Sequence, residues 1–219
     1  MTKYIYAGPS KCGTKSLAKA FQILGFRTCD FRETYFIKQD LWYEYFCENP
    51  SDSRKKEIIK EAYEDFDVFL DCPHFAMYEE VKKVYPDTKL VYWKRPFDSW
   101  YVSFMHTYNT AEAAWPKDSE RGDLKDKDPA TWKMLETVDA SNVMLGITVP
   151  WRKRDDGTTW ASTNPEELGK EKMKKWYENH FSKICSFDGC EKFEFADLGQ
   201  GWTSFCEFLE KSLMNLGLG

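Results

Sequence analysis

Along most of the chain, short apolar runs alternate with longer segments in which apolar residues return every three or four positions. Tyr4-Ile5-Tyr6-Ala7 is one such run, closed by Gly8-Pro9, and it predicts a strand buried on both faces. Leu17, Ala20, Phe21 and Leu24 then predict a helix, with Gly25 where it should stop. Phe26 to Cys29 reads as a second short strand, and Glu33 to Phe66 as helix interrupted at Asn49-Pro50-Ser51. Ile58, Ile59 and Ala62 mark the inner face of the second helical piece. Val68 to Asp71 predicts another buried strand, closed by Cys72-Pro73, and Tyr78, Val81, Val84 and Tyr85 one more helix, ending near Pro86-Asp87. Lys89 to Trp93 is a clear strand, and Pro96 stands at a first-turn position for the helix after it.

Residues 109 to 163 carry Pro116, Gly122, Pro129, Gly146, Pro150 and Gly157 among mixed charges, which predicts short helices and loops. They are expected to form a lid or substrate-binding insertion within a single domain of residues 1–219. Order returns at Asn164-Pro165-Glu166-Glu167, a helix start with a capping residue, a first-turn proline and an acid to complete the box. Met173, Trp176, Tyr177, His180, Phe181 and Ile184 continue it as one long apolar face, so His180 is expected to be structural. Lys192 to Phe195 is a last strand, and Trp202, Phe205, Cys206, Leu209 and Leu213 mark a final helix. Strands alternating with helices predict a three-layer α/β fold, a parallel central sheet of about five strands flanked by helices. Ligands of such sheets bind beyond the carboxyl ends of the strands.

Composition narrows the partners. The net charge of −5, with both signs mixed along the chain, excludes the basic stripe of a nucleic-acid-binding surface. Seven scattered cysteines contain no Cys-x-x-Cys pair, Cys185 and Cys190 being nearest, and no cluster of ligating residues points to a metal. The chain enters a strand at once, leaving no room for a signal peptide, and has no apolar run of membrane-spanning length. A reduced, soluble, cytoplasmic protein with neither membrane nor nucleic-acid partner is expected. Aromatics reach 17% of residues, which serves either a large core or a pocket for a ring-bearing ligand.

The densest chemistry lies between the first strand and first helix, in Gly8-Pro9-Ser10-Lys11-Cys12-Gly13-Thr14-Lys15-Ser16. Glycines let backbone N–H groups converge on an anion, and the helix start adds partial positive charge. Lys11 and Lys15 add full charges, and Ser10, Thr14 and Ser16 add hydroxyl donors, a set suited to phosphate or sulfate. The nucleotide-triphosphate version requires lysine directly after the last glycine, and here Thr14 stands between Gly13 and Lys15.

The segment Lys11-Cys12-Gly13-Thr14-Lys15-Ser16-Leu17 resembles the 5′-phosphosulfate loop of the sulfotransferase family, in particular a small-protein branch reading Gly-x-x-Arg-Thr-Gly-Thr-x-Ser-Leu. The resemblance implies a P-loop nucleotide-kinase-like fold and 3′-phosphoadenosine 5′-phosphosulfate (PAPS) as cosubstrate, with no metal. It implies that Ser10 to Ser16 hold the donor, Gly13 to Ser16 at its 5′-phosphate. Lys11 would lie at the bridging oxygen, neutralising the departing nucleotide. Lys94-Arg95-Pro96 extends the likeness, because the family places an Arg at a strand end and a Ser eight residues later on the 3′-phosphate. Arg95 and Ser103 have that spacing. Leu70-Asp71-Cys72-Pro73, Tyr85 to Val91 and Gly201-Trp202 to Leu209 are similar to the same branch, so the likeness covers most of the chain outside residues 109–163.

Sulfuryl transfer needs an acceptor that loses a proton, and the family's base sits near the end of the third strand. Asp71 occupies that place before Pro73, with His74 close behind and nearer to neutral in its ordinary pKa. Either residue fits a catalytic base. The late Arg-Lys-Gly loop of the cytosolic enzymes has no clear equivalent, Arg152-Lys153-Arg154 being the nearest substitute. The partner implied is a small hydroxylated or amine acceptor, and Trp115, Trp132, Trp151 and Trp160 are candidates to line its pocket. Two other readings fit the loop: a P-loop small-molecule kinase using ATP and Mg²⁺, and a nucleotide-binding module without turnover.

Overall fold

A computed structural model describes residues 2–112, 116–144, 166–199 and 201–209. The chain divides into two compact units. One comprises residues 1–32, 59–95 and 187–219, the other residues 33–58 and 96–186.

The first unit is built on five strands: β1 (Tyr4–Tyr6), β2 (Thr28–Cys29), β3 (Val68–Phe69), β4 (Lys89–Trp93) and β5 (Lys192–Phe195). All pairings are parallel and the order is β2-β3-β1-β4-β5. The three-layer α/β architecture read from the alternation of strands and helices is therefore the one observed. Every residue of β1 is buried, as its unbroken apolar run requires. Its two faces are covered by different partners. Tyr4 meets Phe21 of α1 (Thr14–Ile23) and Phe208 of α9 (Trp202–Phe208), at 6.3 and 6.4 Å between ring centroids. Ile5 and its register partner Phe69 point to the opposite face, where Tyr63 packs on Phe69 at 3.7 Å. Tyr63 closes α3 (Asp52–Tyr63), and buried Lys3 donates to its carbonyl at 2.7 Å and to that of Phe66. A cation at the carboxyl end of a helix suits the dipole there, so the burial of this lysine is structural.

The chain order fixes where a ligand fits. From β1 the chain runs outward to β2, returns to β3 beside β1, then passes through α4 (Tyr78–Val84) to β4 on the other flank of β1. The switch point is the carboxyl end of β1, and the Gly8 loop begins there.

The second unit is helical. It contains a π-helical turn (Glu33–Ile37), α2 (Gln39–Cys47), most of α3, α5 (Phe97–Glu112), α6 (Asp118–Lys127), α7 (Pro129–Met144) and α8 (Glu166–Ser186). Its α5–α8 contact is aromatic: Trp100 lies 4.6 Å from Tyr177 and 6.3 Å from Trp176. His180 is buried and stacks on Trp176 at 5.5 Å, a core role. Where short helices were expected, α7 runs for 16 residues, because Pro129 opens the helix at its first position instead of breaking it. Asn164, Pro165 and Leu213 lie outside the described residues. Among the described residues, no helix is long and apolar enough to cross a membrane.

Candidate functional site

Four chemistry-bearing stretches leave the sheet at the same end. Asp30 follows β2, Asp71 follows β3, the Gly8 loop follows β1, and Lys94-Arg95 follow β4. Parallel strands put all their carboxyl ends together, so residues remote in sequence become neighbours here.

The loop is held by a backbone bond and by one from a side chain. Cys12 N–H donates to the Pro9 carbonyl at 3.0 Å, and the Tyr6 hydroxyl donates to the Cys12 carbonyl. Cys12 is buried and thus serves the loop's shape. Gly13 has φ 81°, a left-handed conformation that calls for glycine, and the Leu198 side chain would also have to move from a β-carbon 2.2 Å away. Thr14 starts α1 and is buried, whereas Lys15 and Ser16 face solvent. Lys11 is half-buried with φ 72°. Among the described residues, three non-glycine residues have positive φ: Lys11, Asn49 and Asp71. Two of these are candidate reacting residues, and such conformations persist only where surrounding structure imposes them.

Asp71 is anchored to the loop. Its Oδ1 accepts from the Ser10 hydroxyl and from the Cys72 N–H at 2.8 Å. Burial pushes its carboxyl above the ordinary value, the Ser10 bond opposes this, and the charge of Asp30 adds to it. Asp30 is itself buried, and its Oδ2 accepts from Lys15 Nζ at 2.5 Å. His74 is fully buried, with Nδ1 2.7 Å from the Tyr63 hydroxyl and Nε2 3.7 Å from Cys29 Sγ. Burial pushes its pKa down to about 3, so the ring is neutral across the physiological range.

Arg95 is half-buried, and its Nη1 donates to the Lys11 carbonyl at 2.9 Å, joining the end of β4 to the loop after β1. Ser10 to Ser16, Asp71, His74 and Arg95 all belong to the sheet unit. Ser103 belongs to the helical unit, half-buried within α5. Of the four candidate tryptophans, Trp132 is half-buried and packs on half-buried Tyr43 at 5.6 Å, a contact between α7 and α2. Trp115, Trp151, Trp160 and the Arg152-Lys153-Arg154 run lie outside the described residues.

Asp30 is the site residue that the linear pattern passes over. It sits after a two-residue strand with no motif around it. The available signal is placement, a carboxylate just past the end of an edge strand whose neighbour is also followed by a carboxylate. The described residues contain no group of three or more His, Cys, Asp or Glu arranged to hold a metal ion.

A family model for the sulfotransferase domain matches residues 3–215. The chain is also 23% identical to "Ava biosynthesis cluster protein M" of Aspergillus versicolor over 217 residues, covering 95% of this chain and 76% of that protein.

Proposed function

The chain belongs to the sulfotransferase family, and from that premise we propose that it transfers a sulfuryl group from PAPS to a hydroxyl or amine of a small, ring-bearing acceptor. The observation that carries this reading is the strand-end cluster. Ser10, Lys11, Lys15 and Arg95 gather hydroxyl and cationic donors around the switch point, and a carboxylate, Asp71, is hydrogen-bonded into the same loop. Such a set fits a phosphosulfate, and a proton acceptor lies beside it.

In this reading Gly13 to Ser16 hold the donor's 5′-phosphate against the start of α1, and Arg95 with Ser103 holds the 3′-phosphate. The acceptor oxygen or nitrogen attacks sulfur in line with the departing phosphate oxygen. Lys11 stabilises the charge that grows on that oxygen as the S–O bond breaks, and Asp71 takes the acceptor's proton. The raised proton affinity of Asp71 makes it a better base than an ordinary carboxylate once it has ionised. The burial of His74 and the groups facing both its ring nitrogens support a structural role there and leave Asp71 as the base. No metal enters the reaction. Residues 109–163 are proposed to supply acceptor contacts within one functional domain, and seven scattered cysteines without a Cys-x-x-Cys pair fit a reducing, cytoplasmic setting.

Calorimetric binding of 3′,5′-adenosine bisphosphate, the product of PAPS, tests the reading beside ATP with Mg²⁺. The wild type should bind the bisphosphate, and Arg95→Ala should lose about tenfold or more, the worth of hydrogen bonds to a charged group. Binding of ATP-Mg²⁺ without the bisphosphate overturns the reading in favour of a kinase.

A further inference from the structure

Lys15 and Asp30 form an ion pair whose two partners differ sharply in freedom. The Asp30 side chain is 11% exposed, and its second oxygen accepts the Phe31 N–H at 2.8 Å. The Lys15 side chain is 76% exposed, on a flexible stem at the second position of α1. The carboxylate is therefore the fixed end and the ammonium the movable one. The loop that carries Lys15 is the one proposed to receive a doubly charged phosphate. An ammonium is a compact point charge that follows the stronger negative field within its reach.

We propose that Asp30 is a positioning residue that holds Lys15 as the counter-ion of the empty loop, and that the donor's phosphate takes Lys15 from it. The identity of the anion rests on the donor reading above; the exchange itself requires only that the loop bind phosphate. Asp30 then competes with the ligand. It keeps the ammonium poised over the loop while the site is empty, and it draws Lys15 back when product leaves, weakening the grip on a spent nucleotide.

The test is the affinity of Asp30→Asn, Lys15→Ala and the double variant for two probes, 3′,5′-adenosine bisphosphate and inorganic pyrophosphate. Removing the competitor should tighten binding by about two- to fivefold, the worth of an ion pair with one solvent-facing partner. Lys15→Ala should weaken it by about tenfold. The double variant should match Lys15→Ala, because Asp30 acts through Lys15. A residue that merely supports the fold would give no gain in affinity, so unchanged or weaker binding in Asp30→Asn overturns the proposal. A gain that persists in the double variant overturns it as well. Asp30→Ser is the second variant should Asp30→Asn fail to fold, and failure of both makes Asp30 structural and ends the proposal. If the wild type binds pyrophosphate but not the bisphosphate, with the same ranking of variants, the exchange stands and the donor reading falls. If it binds neither probe, both fall.

Discussion

In the sheet unit, Lys15 reaches Asp30 with 76% of its side chain in solvent, whereas in the helical unit Arg121 is 5% exposed where it meets Asp139. The second pair joins α6 to α7, with Glu136 at 4.0 Å from the same guanidinium. Arg121 Nε and Nη2 and Asp139 Oδ1 are buried with no hydrogen-bond partner among the described residues. Buried charges are costly to separate and costly to leave half-satisfied, so such a pair resists exchange. An ammonium in water gives up one anion for another at little cost. The charge of Lys15 is thus free to move between anions, and the charge of Arg121 is committed to the fold.

That contrast is sharpest at Asp71. Asp71→Asn keeps the side chain's shape and suits its left-handed backbone, since asparagine tolerates positive φ. It should lower kcat by about 100- to 10,000-fold, the range of a lost general base, with little change in thermal midpoint. A large loss of stability with modest loss of turnover would instead place Asp71 with the structural charges. Arg121→Met should do the reverse. It strands Asp139 in the interior and should cost about 3–5 kcal/mol in denaturant unfolding while leaving bisphosphate affinity unchanged. Replacing both partners, Arg121→Met with Asp139→Leu, should recover most of that loss.

The boundary also runs within the sheet unit, where His74 is a titratable group on the structural side. Its folded pKa lies near 3 and its unfolded value near 6.5. Between those values the unfolded chain binds a proton that the folded protein refuses, so stability should fall as pH drops below about 6.5 and level off near 3. His74→Gln should flatten that window in pH-dependent unfolding. A wild-type profile already flat there would mean that the ring takes up its proton in the folded state.

Much of the fold was legible because local rules sufficed. The apolar run at Tyr4–Tyr6 could only be a strand covered on both sides, and Gly25, with φ 85°, marks the left-handed stop after α1. The break at Asn49-Pro50-Ser51 falls between α2 and α3 as the residue types require, Asn49 itself having positive φ. The strand-to-helix connection at Gly8–Ser16 was legible for the same reason, since Gly8-Pro9 ends the apolar run and the periodic residues from Leu17 begin the helix. Asp30 was not, because a lone acid after a two-residue strand carries no local signature. The burial of His74 was equally hidden, as no neighbour in sequence announces that Tyr63 and Cys29 will close around its ring.

The sequence by itself determined the order of strands and helices, the parallel sheet they imply, and the glycine, lysine and hydroxyl content of the Gly8–Ser16 loop on which the proposed function rests. Only the tertiary structure decided which of those residues meet. Parallel pairing in the order β2-β3-β1-β4-β5 brings Asp30, Asp71, Lys15 and Arg95 to one edge, and burial splits Asp71 from His74 three residues away. The physical reason is range: backbone propensity and apolar periodicity act over a few residues, whereas desolvation and ion pairing depend on every group the folded chain brings within a few ångströms.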